Sequence, residues 1–185
     1  SLYAATKKAN ELMAHTYSHL YKIPSIGLRF FTVYGPWGRP DMAPMLFTKA
    51  ILNNEPINIY NYGKMYRDFT YISDIIEILI MLIDKPPKEN QKYLNIQPDP
   101  NLSWAPYQIF NIGNNNPVNL ERFIEILEIE LDKSAIKNYI EMQPGEVEMT
   151  YANTDLITKL TGFKPNTSIE TGIKKFIKWY KNYYS

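Results

Sequence analysis

The residues with the clearest chemical potential stand near the start of the chain. Tyr3 and Lys7 are four positions apart in a segment, residues 1–21, that has several alanines and leucines and neither proline nor glycine. This composition predicts an α-helix. Side chains four positions apart lie on one face of a helix, and a cation beside a phenol favours the phenolate. The pair therefore predicts a tyrosine that can exchange protons as a general acid or base, unless it is an ordinary helix-surface contact.

The tyrosine–lysine spacing alone is a weak signal in this composition. The chain has 15 tyrosines, and a second pair with the same spacing, Tyr60 and Lys64, spans Gly63. A turn is expected around that glycine, so the second pair lacks the helical geometry. The predicted helix is what distinguishes Tyr3 and Lys7.

A second candidate group lies at the end of a predicted strand. Residues 25–33 are rich in β-branched and aromatic types, as in a strand buried on both faces, and a loop dense in glycine and proline follows at 34–41. Ligands of open α/β sheets bind beyond the carboxyl ends of the strands. Thr32 offers a hydroxyl there, and Arg39 offers a fork for a carboxylate or phosphate, or else is a solvated loop arginine.

Two further residues could contact a nucleotide. Arg67 is one of only four arginines and precedes an apolar strand, so it predicts either a phosphate contact or a local ion pair with Asp68. Tyr60, at the end of a short predicted strand, can stack on a base.

Composition excludes several other chemistries. The chain has no cysteine, which excludes disulfides, thiolate nucleophiles and cysteine-ligated zinc. Its two histidines, His15 and His19, have a spacing that could hold a metal, but Thr16 stands where the zinc motif has glutamate, so we expect an exposed or hydrogen-bonded pair. The net charge of +1 argues against a polybasic nucleic-acid surface.

Helical and extended segments alternate along the chain, which predicts an α/β domain with a mostly parallel sheet. The predicted helices are 1–21 capped by Ser1, 45–52, 73–84 capped by Ser73, one opening at Asn119 or Leu120, 153–162 capped by Asn153 and ending at Gly162, and 169–184 capped by Ser168. The predicted strands are 25–33, 57–60, 67–72, 108–112 and 137–142. Residues 85–106 contain five prolines and predict a surface excursion. The apolar run 75–83 is too short to cross a membrane and predicts a buried helix.

The glycines are too few and too scattered to build a phosphate-binding loop. There are eight, and no G-x-G-x-x-G or G-x-x-x-x-G-K-[ST] pattern can be made from their positions. A length of 185 residues predicts a single unit, residues 1–185. With neither a visible signal peptide nor cysteine, we expect a cytoplasmic protein.

Three ordered segments resemble the extended short-chain dehydrogenase/reductase family. They are YAATKKANE at 3–11, LRFFTVYGPWGRPDM at 28–42 and RDFTYI at 67–72. Within that family the chain is most similar to nucleotide-sugar epimerases, particularly UDP-glucuronate 4-epimerases. The likeness covers nearly the whole chain and returns at FNIG (110–113) and QPGEV (143–147).

The resemblance implies a redox-neutral reaction with NAD. Tyr3 would take the proton of the sugar 4-hydroxyl while hydride passes to NAD⁺, and Lys7 would favour the phenolate and hold the nicotinamide ribose. Phe31 would lie near the nicotinamide. The 4-keto sugar would then turn over and take the hydride back on its other face.

The resemblance also implies a binding site for a UDP-sugar. Its residues would be Thr32, Arg39, Asn58, Tyr60, Arg67, Gln143 and Glu146. Thr32 and Arg39 would meet the sugar, and Arg39 suits a C6 carboxylate. Asn58 and Tyr60 would lie near the uracil, and Arg67 would hold the diphosphate. The last two residues of the set belong to the motif that closes over the nucleotide.

The fold that the resemblance implies is the C-terminal part of an extended Rossmann-like fold, with a small mixed α/β substrate-binding region. The N-terminal dinucleotide-binding half, with its glycine-rich cradle, would be missing, so the chain alone should not epimerise. The full-length protein would be a homodimer through a helical interface that includes residues 1–21. Alternatives are an epimerase or dehydratase for another nucleotide sugar, and a truncated binding or partner subunit without catalysis.

Overall fold

The computed structural model describes residues 1–91, 93 and 99–184. Six α-helices lie in this part of the chain: α1 Leu2–Tyr21, α2 Ala43–Asn53, α3 Ile72–Ile83, α4 Leu120–Leu131, α5 Asp155–Thr161 and α6 Ile169–Tyr184. The strands are β1 Ser25–Phe30, β2 Thr32–Tyr34, β3 Pro56–Ile59, β4 Tyr66–Tyr71, β5 Tyr107–Ile112, β6 Pro117–Asn119 and β7 Ile136–Tyr139. A short 3₁₀ turn, Tyr60–Gly63, joins β3 to the segment before β4.

The strands form three small sheets. β1 pairs with β5, β2 with β4, and β3 with β7, all in parallel, while β6 adds to β4 in the antiparallel sense. The predicted α/β class with mostly parallel pairing is confirmed. Strand β6 was not predicted, because three residues are too short to show an alternating pattern.

The predicted strand over 25–33 is wrong as a single element. It breaks at Phe31: the residues before it pair with β5, and those after it pair with β4. The amide of Phe31 still donates to the carbonyl of Ile112, at 3.1 Å. A continuous apolar run does not reveal where a strand changes partner, because both partners bury it equally well. Because of this break, Phe31 and Thr32 lie where the chain passes from the sheet of β1 and β5 to the sheet of β2 and β4.

Two apolar cores support these sheets, besides a small buried cluster of Ala105, Tyr107 and Ile109. The larger one joins α2, α4 and α6 to β2 and β4, and within it Phe69 stacks on Phe123 at 4.6 Å with 7° between the rings. The smaller one packs α3 and α5 on β5, around Ile78, Phe110 and Ile157. The prediction that α3 is buried holds for one face only, since Ile76, Ile80 and Ile83 are exposed. Among the described residues, no helix has the length and apolarity needed to span a bilayer.

Two of the predicted helix caps, Ser1 and Ser168, are confirmed, and Asn119 is a cap that was not predicted. Ser1 accepts a hydrogen bond from the amide of Ala4, Asn119 from that of Glu121, and Ser168 from that of Thr171. Each satisfies an amide that the helix leaves unpaired.

The other caps differ in detail. The Ser73 cap is wrong, because α3 already begins at Ile72 and has no side-chain cap. Asn153 is not the N-cap of α5, because Thr154 holds that position; Asn153 lies one residue earlier and accepts from the amide of Asp155 at 3.0 Å. Gly162 ends α5 in the left-handed conformation, as predicted.

The predicted surface excursion over 85–106 lies partly outside the described residues, which omit 92 and 94–98. The described part meets α1 through both histidines. His15 Nε2 lies 2.7 Å from the hydroxyl of Ser103, and His19 Nδ1 accepts from the indole N–H of Trp104 at 3.0 Å. The expectation of a hydrogen-bonded histidine pair is confirmed. The described residues contain no group of three or more His, Cys, Asp or Glu able to hold a metal.

A buried carboxylate links β4 to distant loops. Asp68 is fully buried and accepts hydrogen bonds from the amides of Asn114, Asn115 and Ala152, at 2.9, 3.0 and 3.0 Å. Buried acceptors of this kind are costly to disturb, because each donor left without a partner loses its hydration as well.

We therefore predict that Asp68→Asn lowers the free energy of unfolding by about 3 kcal/mol, since an amide NH₂ would face backbone donors. Chemical denaturation of the chain measures this. The exposed Asp84 provides the matched control, and Asp84→Asn should change stability by less than about 0.5 kcal/mol. Equal effects of the two substitutions would contradict the prediction.

Candidate functional site

Tyr3 and Lys7 lie side by side at the N-terminal end of α1. The ammonium nitrogen of Lys7 is 5.4 Å from the centroid of the Tyr3 ring, which confirms the predicted common face. Both side chains line an open cleft of about 500 Å³, together with Glu11, Arg29 and Phe30. The phenol and the ammonium are thus presented to a space large enough for a ligand ring.

An ion pair holds α1 against the sheet. The guanidinium of Arg29 donates to both carboxylate oxygens of Glu11, Nε to Oε1 at 2.6 Å and Nη2 to Oε2 at 2.8 Å. The hydroxyl of Tyr107 donates to the Glu11 carbonyl at 3.1 Å. Over α1, which is described throughout, Ser18 is the single buried residue. With so little apolar burial, these polar contacts set the position of the helix and of Tyr3 and Lys7.

The ion pair also controls the charge of Glu11. The hydrogen bonds from Arg29 lower the pKa of Glu11 from 4.5 to about 2, against the opposing effect of burial. A carboxyl whose pKa falls on folding stabilises the folded state above its unfolded pKa. That stabilisation is lost as the pH falls from about 4.5 towards 2.

We therefore predict that Glu11→Gln destabilises the chain at pH 7 and that the difference from wild type shrinks between pH 4.5 and 2. Unfolding free energies of both proteins across this range measure the effect. Glu77, exposed on α3, supplies the control, and Glu77→Gln should give no such pH-dependent difference. A constant difference for Glu11→Gln at all pH values would refute the role of the pair.

A second cleft lies next to the first. It measures about 570 Å³ and is lined by Arg29, Phe30, Phe31, Thr32, Met42, Asn111 and Thr150. Arg29 and Phe30 line both clefts. The structure therefore places Tyr3 and Lys7 in one cleft and Phe31 and Thr32 in an adjacent one, although they come from a helix and a strand end.

Arg39 lies outside these two clefts. Its side chain is 71% exposed, and its Nη2 atom is 3.3 Å from a carboxylate oxygen of Asp41. The same atom donates to the sulfur of Met42 at 3.3 Å, and Met42 lines the cleft of Thr32. Arg39 therefore forms an exposed ion pair with Asp41, and the side chain of Met42 links it to the cleft of Thr32.

The remaining predicted residues meet in pairs around the 3₁₀ turn and β4. The side-chain amide of Gln143 donates to the hydroxyl of Tyr60 at 3.0 Å. The guanidinium of Arg67 contacts the carboxylate of Glu146 at 3.0 Å. Residues 143–146 follow β7, and the parallel pairing of β7 with β3 brings them next to Tyr60 and Arg67, which are about eighty positions earlier in the sequence. Asn58 lies across that pairing from Asn138 and accepts its side-chain amide at 2.9 Å.

Arg67 and Asp68 do not form the local ion pair that was the alternative reading. Strand alternation sends their side chains to opposite faces, and Asp68 is occupied with backbone amides. Arg67 is only 18% exposed and also donates to the carbonyls of Tyr66 and Glu148, at 3.0 and 3.2 Å. It is therefore a cation with several hydrogen-bond partners at the edge of the site.

Three residues next to the site were not singled out from the sequence. Asn111 lies in the FNIG segment, so the motif itself was a signal. Asn138 and Thr150 carried no signal, because only the pairing of β3 with β7 and the contact of Tyr66 with Met149 bring them here. Thr150 accepts the amide of Asp68 at 3.1 Å and lines the cleft of Thr32.

Comparison with known proteins identifies the family to which a chain with this fold and site belongs. The model of the NAD dependent epimerase/dehydratase family matches residues 1–99. The chain belongs to this family.

Two relatives and one solved structure are similar over the whole chain. The chain is 58% identical to Protein CapI of Staphylococcus aureus and 49% identical to a probable UDP-glucuronate 4-epimerase of Rhizobium meliloti, covering 55% and 54% of their lengths. The solved UDP-glucuronic acid 4-epimerase of Bacillus cereus, in complex with UDP-glucuronic acid and NAD, is 32% identical with a TM-score of 0.82. All of this chain aligns with 54% of that one. The chain spans about half the length of the curated relatives it matches.

Proposed function

We propose that this chain is the part of a nucleotide-sugar 4-epimerase that carries the tyrosine–lysine pair and most substrate contacts. The full-length protein would interconvert UDP-glucuronate and UDP-galacturonate with bound NAD. The observation that supports this most is the Lys7 ammonium beside the Tyr3 ring, in a cleft adjacent to that of Phe31 and Thr32. The names of the relatives, one solved with UDP-glucuronic acid and NAD, support the substrate.

The residues of the cleft fit the nicotinamide end of this cofactor. Lys7 offers a donor to the ribose hydroxyls, Tyr3 offers its hydroxyl beside them, and Phe31 offers an apolar wall for the ring. NAD⁺ supplies a hydride acceptor at the sugar C4 when it is bound, and returns the same hydride. No glycine-rich loop for its diphosphate can be built from the eight glycines of this sequence, so we also propose that the chain alone does not turn over.

The protein's own part in the reaction is proton transfer and orientation. Tyr3 takes the proton from the 4-hydroxyl oxygen and returns it when the opposite configuration forms. Lys7 places its positive charge beside the Tyr3 ring. Thr32 donates or accepts at the sugar hydroxyls from the adjoining cleft. Two orientations of the sugar within one site account for the change of configuration.

The ends of the substrate would be held by charges and amides that lie around this cleft. Arg39 would exchange Asp41 for the C6 carboxylate of the sugar, which an exposed ion pair allows at low cost. Arg67 would bind the diphosphate. Tyr60 and Asn58 would flank the uracil, and the loop with Gln143 and Glu146 would close over the nucleotide.

The same proposal covers assembly and location. We propose that residues 1–185 act as one unit and that the full-length enzyme is a cytoplasmic homodimer. The exposed apolar side chains of α1, including Leu12, Met13 and Tyr17, support a helical interface.

In the full-length protein, Tyr3→Phe should lower kcat for UDP-glucuronate epimerisation by roughly 100- to 10,000-fold, because the proton acceptor is lost. Conversion to UDP-galacturonate, followed by chromatography, measures the rate. Binding of UDP-glucuronate should change little.

Tyr17→Phe, on the same helix and exposed like Tyr3, is the matched control and should keep full activity. The isolated chain of 185 residues should show no turnover. Activity of Tyr3→Phe close to that of wild type would disprove the assignment.

Arg39→Ala should raise KM for UDP-glucuronate by roughly 10- to 100-fold, since a hydrogen-bonded charge pair is lost. The Kd of UDP-glucose, which lacks the carboxylate, should stay the same. Arg122→Ala is the control, because Arg122 is an exposed arginine paired with Glu125 on its own helix, α4, and with Glu170 on α6. If Arg39→Ala weakened the binding of UDP-glucuronate and of UDP-glucose equally, the result would favour an epimerase or dehydratase for another sugar.

A further inference from the structure

The loop between β2 and α2 contains a tryptophan in an unusual backbone conformation. Trp37 has φ of +63°, in the left-handed region. A bulky L-residue is disfavoured there by contact of its Cβ with the backbone, and it persists only where surrounding contacts hold it. Arg39 follows two residues later, so whatever holds Trp37 also sets the path of the chain into Arg39.

Helix α6 supplies the contacts that hold Trp37. The Trp37 ring lies 5.4 Å from the Trp179 ring and 4.9 Å from the Tyr183 ring, centroid to centroid. Trp179 and Tyr183 are one helical turn apart and stack on each other at 5.5 Å with 16° between their planes. Trp37 therefore packs on a preformed pair of rings.

The helix that carries this pair of rings is packed into the larger core. Ile173, Phe176 and Ile177, on the inner face of α6, are buried in the larger core. Gly172 leaves room for the hydroxyl of Tyr34, which occupies the place a Cβ would take. Tyr34, which precedes the loop, and Trp37, in its middle, therefore both contact α6.

The path from Trp37 to Arg39 is short and hydrogen-bonded. The amide of Gly38 donates to the carbonyl of Gly35 at 3.3 Å, and the amide of Met42 donates to that of Arg39 at 3.2 Å. These turns fix the backbone of Arg39, while its exposed side chain pairs only with Asp41 and Met42 in the described structure. A fixed backbone with an exchangeable side chain is what recognition of a carboxylate requires.

We infer that Trp179 and Tyr183 are positioning residues for recognition of the substrate's carboxylate. They hold Trp37 in its left-handed conformation and thereby place the Arg39 guanidinium within reach of the sugar acid. Neither residue lines the clefts of Tyr3 or Thr32, so they act through the loop and not by touching the substrate. The inference rests on the proposed function and extends it to the C-terminal helix.

Tyr183→Ala in the full-length protein tests the inference. We expect KM for UDP-glucuronate to rise about tenfold, because a charged hydrogen bond is weakened, with kcat much less affected. The Kd of UDP-glucose should stay within about twofold of wild type, since that sugar lacks the carboxylate. Tyr183→Phe should restore the wild-type KM, because it keeps the ring.

Tyr184→Ala is the matched control. Tyr183 and Tyr184 are both 53% exposed on α6, but the described ring contacts of Tyr184 are with residues of α6 and not with Trp37. This variant should leave KM within about twofold of wild type.

Two further variants separate positioning from general damage. Trp37→Gly leaves α6 untouched and relieves the left-handed backbone, so it should fold and still raise KM for UDP-glucuronate. In an Arg39→Ala background, Tyr183→Ala should have no added effect, because the group that it positions is gone.

Three results would overturn the inference alone: equal effects of Tyr183→Ala and Tyr184→Ala, equal losses for UDP-glucuronate and UDP-glucose, or an undiminished effect of Tyr183→Ala in the Arg39→Ala background. Wild-type protein that does not epimerise UDP-glucuronate would instead overturn the proposed function, and the inference with it.

Discussion

The carboxylate of Asp68 is the contact on which the arrangement of the site depends most. It is buried, no residue in the described part of the chain pairs with it as a counter-ion, and three backbone amides from segments that follow β5 and precede α5 satisfy it. Because an unsatisfied carboxylate would be prohibitive there, those segments have to come to β4. Gly113 fits beside it because a Cβ would meet Ala152 and the Asp68 carboxylate. Arg67 and Thr150 are placed at the site as a consequence.

Each of the three arginines around the site is paired with a carboxylate. The pairs differ in exposure and therefore in how much they stabilise the fold. The Arg29–Glu11 pair connects α1 to β1 and thereby positions the helix that contains Tyr3. Arg67 is largely buried and also bonded to carbonyls, whereas Arg39 is 71% exposed in its pair with Asp41. An exposed pair contributes little stability and is readily exchanged. The structure thus separates cations that hold the fold from one that can change partner.

Local features of the sequence were sufficient for much of the fold. Helices α1 and α6 were predicted with their capping residues, because caps depend on side chains within three residues of the amides that they satisfy. Where a prediction failed, a distant partner decided the outcome. The strand over 25–33 divides because two different strands, β5 and β4, compete for it. One face of α3 is exposed because the described residues cover only the other.

The sequence by itself determined the candidate site residues and their local geometry: Tyr3 and Lys7 on one face of a helix, Thr32 at a strand end, and motifs typical of one enzyme family. These follow from spacing, since helical and extended periodicities are local properties of the chain. Only the tertiary structure decided which of these residues meet. It joined Tyr60 to Gln143 and Arg67 to Glu146, left Arg39 in an exposed pair, and set Trp37 against α6. Such contacts depend on strand pairing and buried hydrogen bonds between distant segments, which no local pattern encodes.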